Sequence, residues 1–111
     1  MSDDLFNTIY NKSLDLLSRR EHSFKEIKDK LSARFENKKI IESVIEKLSD
    51  NNLVNNTRYA EAYVSARKRK GFGPKKIAFE LSSKGVDESV TNSVIIEEGD
   101  WESAAKLAFS K

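Results

Sequence analysis

Apolar residues recur along this chain at spacings of three and four, and no segment alternates with the period of two that a half-buried strand requires. Leu5, Phe6, Ile9, Tyr10, Leu14 and Leu17 form the first stripe, which predicts a helix running to about Arg20. Ser23-Phe24-Lys25-Glu26 reads as a capping box, in which the Ser hydroxyl accepts from the amide three residues on and Glu26 reaches back. The helix it opens buries Ile27, Leu31 and Phe35. Asn37 caps a third helix, whose stripe is Ile40, Ile41, Val44, Ile45 and Leu48. Asp50 to Thr57 is a turn rich in Asn around Leu53 and Val54, since Asn and Asp side chains close turns on their own backbone. A fourth helix, from about Thr57 to Lys70, packs through Tyr59, Ala62, Tyr63 and Ala66 and is stopped by Gly71-Phe72-Gly73. Pro74 opens a fifth helix at the position where its missing amide costs nothing. That helix continues through Ile77, Ala78 and Leu81 to a stop at Gly85. Asp87 caps a sixth helix through Val90, Val94 and Ile95, and Gly99-Asp100 begins a seventh segment from Trp101 to Phe109.

The pattern repeats after 50 residues without a gap. Ile27 falls on Ile77, Leu31 on Leu81, Ile40 on Val90, Val44 on Val94 and Ile45 on Ile95. Helical periodicity alone would align some of these, but it would not also align Arg19 with Arg69, Arg20 with Lys70, Lys25 with Lys75 and Arg34 with Lys84. The expected architecture is all-α. Tandem three-helix repeat units occupy residues 1–56 and 57–99, with the first helix of a third, incomplete unit at residues 100–111. Stacked units of this kind form an elongated, curved helical body.

Composition narrows the function. At 111 residues, 38% hydrophobic and 34% charged, the chain can build a core but has no apolar run near the roughly 20 residues of a membrane span. No leader pattern opens it, and a cytoplasmic location is expected. It has no Cys and one His, so neither a thiolate metal site nor a His cluster is available, and no cofactor is expected. The net charge of +2 conceals an asymmetry. Residues 1–56 are balanced, residues 58–84 hold eight cations against Glu61 and Glu80, and residues 85–111 are net acidic.

The stretch Arg67-Lys68-Arg69-Lys70-Gly71-Phe72-Gly73-Pro74-Lys75-Lys76 carries six cations and no acid. Cations at a helix C-terminus complement its dipole, which accounts for Arg67 to Lys70. Lys75 and Lys76 stand at a helix N-terminus, where the dipole disfavours them, so a phosphate-binding patch is the better reading of the whole. Gly71-Phe72-Gly73 is a tight turn rather than a nucleotide cradle, because no Gly-Lys-Ser/Thr follows and Pro74 removes an amide. His22 is expected at the surface of a turn, as no nucleophile and orienting partner accompany it. Glu42 and Glu46 lie opposite an apolar stripe and read as solvated. Trp101 and Phe109 are expected to pack the last helix onto the second unit. Tyr59, Tyr63 and Phe72 lie near the patch, the two tyrosines as core. Nothing amounts to an enzyme.

Leu17-Ser18-Arg19-Arg20-Glu21-His22-Ser23 with Glu26-Ile27 and Leu31 resembles the opening of the RecX family of bacterial recombinase regulators. Arg58-Tyr59-Ala60-Glu61, Arg67, Gly71-Phe72-Gly73-Pro74-Lys75-Lys76-Ile77, Glu80-Leu81 and Lys84-Gly85-Val86 resemble its most specific signature, and Asp100-Trp101 the start of its third unit. The resemblance covers nearly the whole chain. It implies tandem three-helix units without a catalytic centre, lying in the groove of the RecA–single-stranded DNA filament. It implies too that they suppress RecA's ATPase and strand exchange in recombination and DNA repair. On this resemblance the positions meeting DNA or filament are Arg67, Arg69, Lys70, Lys75 and Lys76, with Arg19 and Arg20 at the equivalent corner of the first unit. Arg58, Lys68 and Lys84 complete the basic set. The partners implied are the RecA filament and single-stranded DNA, with double-stranded DNA as a second nucleic acid, no membrane, and a monomeric chain. The sequence departs from the family where Asn55-Asn56-Thr57 replaces acidic residues, although these can still cap a helix, and in its short third unit.

Two other readings compete. Helices four and five, joined by a Gly-containing turn, can imitate a helix-turn-helix in a general nucleic-acid-binding module. Residues 74–84 nevertheless offer Lys75, Lys76, Ser82 and Ser83 but no Asn, Gln or Arg to read bases. A repeat scaffold that binds protein alone is the third reading, distinguished by salt-insensitive binding.

Overall fold

A computed structural model of the chain describes residues 2–101. Among these residues there are six helices and no strand: α1 Ser2–Arg19, α2 Phe24–Arg34, α3 Lys38–Asp50, α4 Asn56–Arg69, α5 Pro74–Ser83 and α6 Glu88–Glu98. They form two compact three-helix units that divide between Asn55 and Asn56. The 50-residue repeat is legible in the helix boundaries. α1 and α4 end at Arg19 and Arg69, α2 and α5 begin at Phe24 and Pro74, and α3 and α6 begin at Lys38 and Glu88.

Each unit buries its own stripe. In the first, Ile9, Ile27, Leu31, Ile41, Val44, Leu48 and Val54 are buried together, with Phe35, Ile40 and Ile45 packed against them. In the second, Tyr59, Ala60, Val64, Ile77, Leu81, Val86 and Val94 are buried, with Tyr63, Phe72, Val90, Ile95 and Trp101 at the margin. Removing one of the fully buried aliphatic side chains, Ile27 or Leu81, to Ala would cost about 2–5 kcal/mol.

The helices start and stop where local chemistry dictates. Ser23 accepts from the Glu26 amide at 3.1 Å while Glu26 accepts from the Ser23 amide at 3.2 Å, completing the capping box. The Asn37 side chain accepts from the Ile40 amide. α3, α4 and α5 all close with the same pair of backbone bonds, a six-to-one bond enclosing a five-to-two bond. These run from Leu53 and Asn52 to Leu48 and Ser49, from Phe72 and Gly71 to Arg67 and Lys68, and from Val86 and Gly85 to Leu81 and Ser82. The motif needs a left-handed residue after the cap. Gly71 (φ 92°) and Gly85 (φ 80°) supply it for α4 and α5, and Asn52 (φ 57°) for α3.

Several expectations are corrected. His22 is not a surface residue but 1% exposed. Its Nδ1 lies 3.0 Å from the Arg20 carbonyl and its Nε2 2.8 Å from Lys30 Nζ. α4 buries Tyr59, Ala60 and Val64, while Ala62 is exposed. Tyr59 and Tyr63 pack as expected, and Ala60 and Val64, one turn apart, complete the buried face in place of Ala62. Asp87 stands at the N-cap of α6, but its side chain makes no capping hydrogen bond. Phe109 lies outside the described residues.

Candidate nucleic-acid interface

The turn between α4 and α5 is a sharp corner whose form follows from its glycines. Gly71 takes the left-handed conformation that ends α4. Gly73 is the extended N-cap of α5, followed by Pro74. The first amides of any helix lack intrahelical partners, and Gly73 offers no side chain to cap them. Positive dipole end and cationic side chains therefore coincide at Lys75 and Lys76, the arrangement an anion neutralises.

The basic set divides by what each side chain touches. Arg67 is drawn inward: its Nε donates to Glu80 Oε1 at 3.1 Å and its Nη2 to Glu80 Oε2 at 2.9 Å. The guanidinium also lies over the Phe72 ring, 3.9 Å from its centroid. Tyr63 donates to the same Glu80 Oε1 at 3.0 Å, so the carboxylate clamps α4 to α5. Burial raises the Glu80 pKa, but the hydrogen bonds from Arg67 and Tyr63 and the charges of Arg67 and Lys76 outweigh it and hold the group below its ordinary value. Lys68 Nζ donates to the Gly99 carbonyl at 2.6 Å, lies 3.7 Å from a Glu98 oxygen and faces the Trp101 ring at 5.4 Å. It ties α4 to the end of α6, and Trp101 in turn donates to the Ile95 carbonyl.

Arg69, Lys70, Lys75 and Lys76 are exposed and form no ion pair among the described residues. Lys76 Nζ lies 5.5 Å from the centroid of the same Phe72 ring that supports Arg67, so one aromatic side chain organises both sides of the turn. Lys84 is half-buried at the C-cap of α5, and Arg58 half-buried in the first turn of α4. In the first unit Arg19 is exposed and pairs with Asp15 at 3.1 Å. Arg20 donates to both Glu26 oxygens at 3.0 and 3.2 Å. The first unit's corner is thus ion-paired with its own acids, while that of the second keeps four exposed cations outside any ion pair among the described residues.

The basic residues alone did not reveal the roles of Glu80 and Phe72. The available signal was that Glu80 is the sole acid between Glu61 and Asp87, one helical hairpin away from Arg67. Among the described residues no cluster of His, Asp and Glu suits a metal ion, and no helix is long and apolar enough to cross a membrane.

Comparison with known proteins adds an independent line. A family model described as "RecX, first three-helix domain" matches residues 10–48, and one described as "RecX, second three-helix domain" matches residues 55–95. A regulatory protein RecX of Pseudomonas fluorescens is 35% identical over 100 residues, covering 89% of this chain and 64% of its own length. One from Xanthomonas axonopodis pv. citri is 37% identical, covering 89% and 62%. The crystal structure of RecX from Lactobacillus salivarius superposes with a TM-score of 0.81 at 33% identity, covering 95% of this chain and 67% of that one. The chain thus spans somewhat less than two thirds of the length of these two curated relatives.

Proposed function

The chain belongs to the RecX family of regulatory proteins, and from that premise we propose that it binds the RecA–single-stranded DNA filament and restrains RecA's ATPase and strand exchange. The contact surface is the α4–α5 corner, with Arg69, Lys70, Lys75 and Lys76 meeting phosphates or acidic filament surface. Arg67 and Lys68 hold that corner in shape from beneath. Arg19, Arg20, Arg58 and Lys84 contribute at the margin. The protein acts in the cytoplasm as a monomer, without catalysis or cofactor.

The observation that carries this reading is the contrast between the two corners. Arg19, Arg20 and Lys25 are ion-paired with acids of their own unit, whereas the repeat-equivalent Arg69, Lys70 and Lys75 form no ion pair among the described residues. Exposed charge without an internal partner is available to an external polyanion, and each phosphate it neutralises releases counterions. A sequence-reading helix-turn-helix is less well supported, since the exposed side chains of α5 are Lys75, Lys76, Phe79, Ser82 and Ser83.

The direct test is RecA ATPase on single-stranded DNA during titration with this chain, beside a DNA-only binding control at the same salt. Inhibition at concentrations below those that coat free DNA is the expected outcome. ATPase loss that merely tracks DNA coating would replace filament regulation with competition for the strand.

A further inference from the structure

α5 carries an exposed side chain that the basic corner does not account for. Phe79 is 76% exposed, far more than a phenylalanine within the core of a small helical unit. It stands four residues after Lys75 and three after Lys76, so all three share one face of the helix within about one 5.4 Å turn. The repeat supplies an internal comparison for this face. In the first unit the equivalent of Phe79 is Asp29, which pairs with Lys25 at 2.8 Å. Fifty residues on, the lysine is kept as Lys75 and its acid has become an aromatic ring. The exchange leaves the ammonium uncompensated and places a flat apolar surface beside it. Phe79 also borders a shallow groove of about 260 Å³, along which Ser82, Glu88 and Asn92 present polar atoms.

We propose that Phe79 is a stacking platform for a base of single-stranded nucleic acid, with Lys75 and Lys76 on the flanking phosphates. The proposal rests on the reading of the α4–α5 corner as strand-binding and adds the base contact to it. A ring beside two unpaired cations accepts any base face without regard to sequence, which suits a strand already unpaired and held extended. A protein partner would use the ring as an apolar anchor. The excess of exposed cations at the neighbouring α4–α5 corner favours a polyanion.

The test separates base from phosphate. Affinities are measured by fluorescence anisotropy for a labelled oligothymidylate and for an abasic strand of equal length, at one salt concentration. Phe79→Ala is expected to weaken the oligothymidylate about tenfold and to leave the abasic strand within about twofold, while Phe79→Trp restores binding. Lys75→Glu/Lys76→Glu is expected to weaken both strands. Equal loss on both strands in Phe79→Ala, or no loss on either while the lysine reversal still weakens them, overturns the stacking role and leaves the basic corner standing. Loss of filament binding in Phe79→Ala with unchanged oligothymidylate affinity makes the ring a protein contact and also overturns it. A lysine reversal without effect on either strand defeats the underlying reading itself. Phe79 lies outside the core, so circular dichroism of its variants is expected to match the parent.

Discussion

His22 and Phe72 occupy equivalent positions in the two units and organise their corners by opposite chemistry. The Arg20 carbonyl can only accept, and the Lys30 ammonium can only donate. The buried ring is therefore neutral, with its proton on Nδ1. Burial is the main cause that holds its pKa below 6.5, and the charges of Arg20 and Lys30 act in the same direction. The hydrogen bond to Arg20 and the nearby Glu26 offset these only in part. A depressed folded-state pKa means that the unfolded chain binds the proton first. Its stabilising contribution is therefore complete above the unfolded value and is lost as pH falls through the folded one. The thermal midpoint is expected to drop between pH 7.5 and 5.5, and His22→Gln to flatten that drop. An unchanged slope in the variant would assign it to other groups. At the second corner, Glu80→Ala removes a bidentate, partly solvated clamp and is expected to cost about 1–2 kcal/mol in urea unfolding.

At the scale of the helices, most of the fold was legible because its signals are local. The capping box at Ser23, the Asn37 cap, Pro74 at the start of α5 and the glycine stops each depend on a few neighbouring residues, and all appear in the structure. The burial of Ala60 and Val64 beside Tyr59 in α4 was not legible. Ala62 and Ala66 fit the period of Tyr59 and Tyr63 as well as Ala60 and Val64 do, and only packing against α5 and α6 decides between them. Nor could composition show which cations are consumed internally, since Arg67 and Arg69 differ only in the residues the turn brings opposite them. The burial of His22 is hidden from the sequence for the same reason: its partner Lys30 lies about two turns along α2, and its side chain reaches back to the ring. The helix ends give their own expectation. Gly85→Ala forces a methyl group into the left-handed cap at φ 80° and is expected to cost about 1–2 kcal/mol. A thermal midpoint equal to that of the parent would show that the cap relaxes into another turn.

At the scale of the whole molecule, the duplication sets up a division of labour. The first unit spends its corner charges on itself through Arg19–Asp15, Arg20–Glu26 and Lys25–Asp29. The second replaces two of those acids with Lys76 and Phe79, giving a face with uncompensated charge and an exposed ring. Two copies of one fold can in this way diverge at a handful of surface positions while their core positions, Ile27 and Ile77 or Val44 and Val94, stay alike. The central claim is that this second corner is where the filament is met. It is tested most directly by the affinity of the chain for preassembled RecA–single-stranded DNA filaments across a salt series, for the parent and for Lys75→Glu/Lys76→Glu. Reversal is expected to weaken binding at least tenfold and to flatten the dependence of log affinity on log salt by about two. An unchanged affinity and slope would contradict the account.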